Sequence, residues 1–422
     1  MCFQLRHFVI AGSLYIVLSL LLAPRYFIPA ESNDTSTYTD VSQSLLHGES
    51  PRLYHRTLGY PAFLLASQYF ESKPLVWGMQ LAVGLLAFLC YNSLLAKYVF
   101  QNPTAVIISA FLTWGLFHIM GWQGMMLPEF LEISVLMIWL WFDLRQRTSP
   151  EMLSWFFLLA CWMDITLMVI KPVFFAWPVL LQTTRVIMGL VRARRIKKEV
   201  LRLLVILSFG IGWCGFIYHE TGHFEVSDVG RVNRLLMINN FGQLSAGFCR
   251  VHPCAPLTRE TIHLMVTHQE HLLNKIQQLH PELTRNKIID TLSDDLYGPT
   301  RRALARHAVL QFFYNFGDDQ SRAQYTPLFP KFLNLWFFLS KIWKTCLEIG
   351  LVLFFLNMFM RFPRSPFIFI CLGLVFYNSL IAALWGSQAY SRIMAPTEAM
   401  AGFLGLYGFI GVIRSLRSLV RS

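Results

Sequence analysis

Long runs of apolar residues, separated by short polar segments, dominate the chain. A membrane-spanning helix needs about 20 mostly apolar residues, so runs near this length are candidate spans. The candidates are Phe8–Phe27, Leu75–Tyr98, Thr104–Met120, Met125–Leu144, Leu153–Ile170, Val173–Leu190, Leu201–Tyr218, Leu333–Met360, Phe367–Trp385 and Ala395–Ile413. Whether residues 173–190 span fully is left open, because Pro178 removes a helix donor there. The pattern predicts an all-α polytopic membrane protein with about ten transmembrane helices.

Two polar segments interrupt this pattern and define the predicted domains. An N-terminal transmembrane module, 1–218, contains a first outer loop at 30–74, and a C-terminal transmembrane module covers 331–422. Between them, 219–330 has apolar residues at helical spacing and is predicted to be a small helical extracytoplasmic domain. Within it, Gly298 is expected to end one helix and Pro299 to begin the next.

The charge distribution predicts the orientation in the membrane. The chain is 55% hydrophobic and 14% charged, and its formal net charge is +12. The region 219–330 holds 11 Lys/Arg and 11 Asp/Glu, so the basic excess lies in short clusters beside the apolar runs. Positive clusters favour the cytoplasmic side, which predicts both termini in the cytoplasm and the two polar segments outside. Nucleic acid is not an expected partner, because no basic surface domain is present.

The first outer loop contains a carboxylate close to cations and aromatic residues. Asp40 lies in TYTDVSQSLLHG and is followed by Arg56 and Tyr60 in HRTLGYP. This combination suits a site that removes a proton from one group and stabilises a phosphate on another. We therefore interpret Asp40 as a general base with Arg56 and Tyr60 beside it, and Asp34 as a solvated bystander. The alternative for Asp40 is a solvated loop carboxylate or a helix N-cap.

Three other segments are expected to complete this site. Glu129 lies at the outer end of the fourth predicted span, and Glu132 is one turn deeper. Carboxylates at the edge of a span are costly and therefore candidates for function. Lys171 ends the fifth span and Arg392 precedes the last one. Each of these two cations either extends to the interface or contacts a substrate phosphate.

Two further motifs point to a metal and to a disulfide. His219 and His223 belong to H-E-T-G-H, which matches the H-E-x-x-H zinc pattern. The sequence requires no cofactor, and a divalent metal at these weak candidates is kept as an alternative to polar residues at a membrane exit. Cys249 and Cys254 lie on the predicted outer side, which favours a small disulfide loop.

The order of these patches resembles the GT-C superfamily of membrane glycosyltransferases, in particular the protein O-mannosyltransferases and bacterial aminoarabinose transferases. Asp40 is followed by SQSLLHGESP and HRTLGYPAFLL, with Leu58 where the family often has Pro. Pro128-Glu129 and Lys171-Pro172 are similar to later family elements. ALARHAVLQFFYNF and YSRIMAPTEAMAGFLGLY resemble two more.

The resemblance implies an inverting glycosyltransferase that moves a sugar from a polyprenyl-phosphate donor to an acceptor hydroxyl. Asp40 would deprotonate the acceptor, Glu129 would orient it or share that role, and Arg56, Lys171 and Arg392 would stabilise the leaving phosphate. The expected partners are the lipid-linked sugar donor, a lipid, glycan or protein acceptor, and membrane lipids. The expected location is the bacterial inner membrane, with the active site facing the periplasm. An O-antigen ligase or polymerase and a lipid-linked-sugar transporter or flippase remain as alternatives.

Overall fold

The computed structural model describes residues 5–32, 34–49, 56–115, 117–148, 154–191, 196–227, 235, 248–267, 272–314, 327–360, 365–385 and 390–421. Within these ranges the chain is helical and contains no strand. Two isolated β-bridges join Pro24 to Pro327 and Ala30 to Met125. Two short 3-10 turns occur at Arg25–Phe27 and Pro172–Phe174.

The helices follow the apolar runs. They are α1 Leu5–Leu21, α2 Thr35–Leu46, α3 Gly59–Tyr69, α4 Lys73–Tyr98, α5 Pro103–Trp114, α6 Phe117–Trp122, α7 Pro128–Thr148, α8 Ser154–Ile170, α9 Trp177–Val191, α10 Lys197–Thr221, α11 Phe248–Val251, α12 Pro256–Thr267, α13 Leu272–Leu279, α14 Arg285–Tyr314, α15 Pro330–Met360, α16 Pro366–Trp385 and α17 Tyr390–Arg421.

Five helical segments are long and apolar enough to cross a membrane, namely Lys73–Tyr98, Pro172–Val191, Lys197–His219, Pro366–Leu384 and Pro396–Ile413. Three apolar helices are shorter: Leu5–Leu21, Pro103–Trp114 and Trp155–Ile170. The chain is therefore an all-α integral membrane protein. Helices also lie at the remaining predicted spans, in α7 and α15.

The chain divides into two compact units. The first consists of residues 1–212, 319–378 and 394–422, and the second of 213–318 and 379–393. In the first unit α4 packs against α1, α5 and α7. Helices α15 and α17 approach so closely that a Cβ atom on Gly405 would meet the carbonyl oxygen of Leu347. Glycine removes the side chain that would hold two helices apart, which is typical of helix contacts in membranes.

The second unit has its own apolar core. Helices α12, α13 and α14 pack around buried Ile262, Ile276, Ile288, Leu292 and Leu296. A disulfide joins Cys249 to Cys254 just before α12. Asp295 of α14 accepts hydrogen bonds from the Ala255 amide at 2.7 Å and the Thr258 hydroxyl at 2.6 Å, and so anchors the start of α12.

The predicted helix boundary at Gly298-Pro299 is wrong, because α14 continues from Arg285 to Tyr314 with Pro299 inside it. The buried face of α14 includes Leu296 before the proline and Leu304 after it. Burial of this face offsets the hydrogen bond that Pro299 cannot donate.

Candidate functional site

An ion pair organises the first loop. Arg56 Nη2 lies 2.8 Å from Asp34 Oδ1, and both side chains are partly buried. Arg56 also donates from Nε to Thr37 Oγ1 at 2.9 Å and from Nη1 to the Tyr38 hydroxyl at 3.2 Å. Its guanidinium carbon lies 4.4 Å from the Tyr38 ring centroid, within cation–π distance. We call these two charged side chains the Asp34–Arg56 pair.

Asp40 occupies a different face of the same helix. The buried residues of α2 are Thr35, Tyr38, Val41 and Ser42. Asp40 projects away from them and is exposed. Asp34, interpreted from the sequence as a solvated bystander, pairs in the structure with the loop arginine that was expected beside Asp40.

Backbone contacts fix the start of this loop against the segment that precedes α7. The Ala30 amide donates to Gly124 O at 2.9 Å, and the Met126 amide donates to Ala30 O at 2.8 Å. Thr35 Oγ1 donates to Met126 O at 3.1 Å. Gln80 of α4 donates to Met125 O at 3.1 Å. These hydrogen bonds join the start of the first loop to the segment just before α7.

The start of α3 packs directly against the end of α8. A Cβ atom on Gly59 would lie 2.7 Å from both Ile170 Cα and Val169 O, so α3 begins in direct contact with the end of α8. The next residue, Tyr60, is fully buried, and its ring meets Tyr38 edge to face with centroids 5.1 Å apart. Burial, together with the nearby Glu129 carboxylate, raises the pKa of the Tyr60 hydroxyl well above its usual value. The Tyr60 hydroxyl therefore stays protonated, and its ring packs against Tyr38, which accepts a hydrogen bond from Arg56.

Two buried carboxylates of α7 share the ammonium of Lys171. Lys171 Nζ lies 3.1 Å from the Glu132 carboxylate and 3.5 Å from Glu129 Oε1. Both glutamates are completely buried, whereas the Lys171 side chain is 16% exposed. We call these three residues the Lys171 triad. The triad and the Asp34–Arg56 pair are joined through neighbouring backbone contacts, because Thr35 bonds to Met126 O before α7 and Gly59 lies against Ile170, the residue before Lys171.

The arrangement combines groups for proton transfer with groups for anion stabilisation. Carboxylates such as Asp34 and Glu129 can accept a proton from a hydroxyl group. Lys171 and Arg56 can stabilise negative charge, and they do so more strongly where water is excluded. The sequence analysis identified Glu129, Lys171, Arg56 and Tyr60. In the structure these four lie on segments that contact one another, through Thr35 and Met126 and through Gly59 and Ile170.

The remaining predicted residues, Arg392, His219 and His223, belong to the second unit. Arg392 is in α17 within the second unit, and its side chain lies outside the described part of the structure. His219 is exposed, and His223 Nε2 lies 3.0 Å from Asp290 Oδ2. Among the described residues, no group of three or more His, Cys, Asp or Glu side chains is placed to hold a metal ion.

A second buried ionic cluster, further along α7, was missed in the sequence. Arg202 of α10 donates to Asp164 of α8 at 2.5 and 2.7 Å and to Asp143 of α7 at 3.0 Å. Trp139 donates to Asp164 at 2.6 Å, and Arg185 of α9 pairs with Asp143. We call these five residues the Arg202 cluster. Charged residues inside candidate spans were the available signal, because an unpaired charge is costly there.

No family model matches the chain, and no curated protein matches it. One similar solved structure is the archaeal oligosaccharyltransferase AglB from Archaeoglobus fulgidus in complex with an inhibitory peptide and a dolichol-phosphate. The identity is 15% and the TM-score 0.48, and the match covers 98% of this chain and 51% of that chain. This chain thus spans about half the length of that protein, and a likeness of this size does not define a family.

Proposed function

We propose that the protein is an inverting glycosyltransferase that moves a sugar from a polyprenyl-phosphate donor to an acceptor hydroxyl. The acceptor is a lipid, a glycan or a protein, and the reaction takes place on the extracytoplasmic face of a bacterial inner membrane. The observation that carries the proposal is that the segments bearing the Asp34–Arg56 pair contact those bearing the Lys171 triad. Thr35 donates to Met126 O just before α7, and Gly59 lies against Ile170 at the end of α8. Such a site joins proton acceptors to cations at a membrane edge.

Asp34 is the favoured general base. Its carboxylate is held by a guanidinium that three other contacts orient, whereas Asp40 is exposed on the far side of α2. A base must keep a fixed position relative to the proton that it removes. Arg56 is therefore assigned chiefly to holding Asp34.

Lys171 is the favoured cation for the leaving phosphate, with Arg392 as a second candidate. In the proposed step, the acceptor oxygen forms a bond to the anomeric carbon while its proton passes to Asp34. The bond from the anomeric carbon to the phosphate oxygen breaks, and the electron pair leaves with the polyprenyl phosphate. Lys171 stabilises the negative charge that develops on that phosphate. Attack opposite the leaving group inverts the anomeric centre.

Glu129 is proposed to orient the acceptor hydroxyl. It is buried beside Tyr60, whose protonated hydroxyl supplies a hydrogen-bond donor in the same region. A carboxylate that accepts a hydrogen bond from an incoming hydroxyl can align it for attack.

Asp34→Asn and Asp40→Asn form a matched pair, because the same chemical change is made at two positions of one loop. Transfer would be measured with purified protein in detergent and radiolabelled polyprenyl-phosphate sugars, using membrane extracts as the source of acceptor. Removing a general base costs about 10²–10⁴ in rate, so Asp34→Asn should lose at least a hundredfold of kcat. Asp40→Asn should stay within about twofold, since an exposed carboxylate away from the reacting groups contributes little.

The reverse result, with Asp40→Asn inactive and Asp34→Asn active, would identify Asp40 as the general base, as the sequence analysis expected. Full activity of both folded variants would show that neither Asp34 nor Asp40 is the general base. Movement of a labelled lipid across liposomes, without formation of a glycosidic bond, would instead identify a transporter.

A further inference from the structure

The Lys171 triad is asymmetric. Glu129 and Glu132 lie one turn apart on α7, and both are completely buried. The Lys171 ammonium lies 3.1 Å from the Glu132 carboxylate but 3.5 Å from Glu129 Oε1. At 3.5 Å a contact is at the limit of hydrogen bonding, whereas 3.1 Å is an ordinary length. Glu132 is therefore the closer partner of the cation.

The backbone of Lys171 is held independently of its side chain. Lys171 has an extended conformation, with φ −152° and ψ 140°, between α8 and the turn Pro172–Phe174. Phe174 donates its amide to Lys171 O at 3.1 Å. The preceding residue, Ile170, is in backbone contact with Gly59. The position of the ammonium is consequently set by the side chain, which in lysine is a flexible four-carbon stem.

We propose that Glu132 is a positioning residue that holds the Lys171 ammonium away from Glu129. The inference rests on the proposed function, in which Lys171 serves the leaving phosphate and Glu129 the acceptor. A single cation between two buried carboxylates is attracted to both of them. Glu132, one turn deeper than Glu129, draws the ammonium from the carboxylate that must meet the acceptor hydroxyl. The two glutamates thus have different tasks in one reaction.

This division of tasks predicts what happens when the Glu132 charge is removed. The ammonium then has Glu129 as its remaining carboxylate within the triad and moves towards it. Glu129 becomes neutralised by a close ion pair and aligns the acceptor hydroxyl poorly. The positive charge of Lys171 is still present, so affinity for a lipid phosphate is retained while turnover falls.

The test compares Glu132→Gln, Glu132→Asp and Lys171→Gln in purified protein in detergent. For each variant, kcat, the acceptor KM, the Kd for decaprenyl phosphate and the thermal midpoint Tm would be measured. For Glu132→Gln we expect kcat to fall about 10- to 100-fold, as a small misplacement of reacting groups does. Its acceptor KM should rise, while its Kd for decaprenyl phosphate stays within about threefold of wild type. Glu132→Asp keeps the charge and should recover part of kcat, whereas Lys171→Gln should weaken decaprenyl phosphate binding about tenfold or more.

Wild-type kcat in folded Glu132→Gln would overturn the inference. So would a loss of kcat that follows Tm and that Glu132→Asp does not relieve, since Glu132 would then only join α7 to α8. A loss of decaprenyl phosphate affinity equal to that of Lys171→Gln would also overturn it. Absence of sugar transfer by the wild-type protein with every polyprenyl-phosphate sugar is a separate outcome, which rejects the proposed function and the inference together.

Discussion

At the scale of single residues, Gly59 determines how closely α3 approaches α8. Its missing side chain leaves room for the Ile170 backbone, and Ile170 precedes the lysine of the triad. Tyr60 follows Gly59 directly and lies beside Glu129. A substitution of Gly59 should therefore shift the positions of Lys171 and Glu129 without changing either residue.

Gly59→Ala tests this contact. The new Cβ would lie 2.7 Å from backbone atoms, which cannot rotate away as a flexible side chain can. Overpacking of this kind costs about 1–3 kcal/mol, so we expect a lower Tm in detergent and a reduced kcat. Gly78→Ala in α4 is the matched control, because nothing lies within 4 Å of its added Cβ. Equal behaviour of the two variants would show that the α3–α8 contact is unimportant.

The sequence could not predict which residues of the site pair with one another. Glu129 and Lys171 could be identified as candidates because each stands at the end of an apolar run, where a charged residue is unusual. Asp34 and Asp40 are six residues apart in one polar loop, and composition does not separate them. Their difference depends on which face of α2 is buried and on the path of the chain back to Arg56.

At the scale of helices, the Arg202 cluster joins α7, α8, α9 and α10. Two ionic sites thus join α7 to the α8 segment: this cluster, and the Lys171 triad at the residue directly after α8. Hydropathy located these helices because about 20 apolar residues are sufficient to identify a span. Hydropathy did not predict which helices pack against one another, because the lipid-facing and protein-facing sides of a membrane helix are similarly apolar. In the second unit, the continuous α14 was predicted as two helices because Gly298 and Pro299 are local break signals, and the burial that offsets them depends on tertiary packing.

Arg202→Met should destabilise the protein strongly. It leaves Asp143 and Asp164 buried with one arginine fewer, and breaking a buried ion pair from one side costs about 3–5 kcal/mol. The free energy of unfolding would be measured by reversible denaturation in SDS. Lys197→Met in the same helix is the control, since Lys197 is exposed and should have little effect. Arg202→Met combined with Asp164→Asn should recover part of the loss, because one buried charge fewer is left uncompensated. A loss below 1 kcal/mol in the single variant would show that the cluster is dispensable.

At the scale of the whole molecule, the charge distribution predicts an orientation in the membrane. Basic residues are concentrated between the predicted spans at Arg145 and Arg147, in the segment 192–198, at Arg361 and Arg364, and after Ile413. The region 219–330 carries equal numbers of basic and acidic residues and contains the disulfide Cys249–Cys254. Disulfides persist in oxidising compartments, so the disulfide and the charge bias favour the same orientation.

This orientation predicts the result of reporter fusions in a bacterial host. Alkaline phosphatase, which is active only outside the cytoplasm, should be active when fused after Pro281 and inactive after Ser422. Green fluorescent protein, which is fluorescent only in the cytoplasm, should give the reverse pattern at the same two positions. Three spans are predicted between Pro281 and Ser422, so the two positions should lie on opposite sides of the membrane. An active phosphatase at both positions would mean an even number of spans between them and would contradict the prediction. An inactive phosphatase after Pro281 would place that region in the cytoplasm, where its disulfide would not be expected to persist.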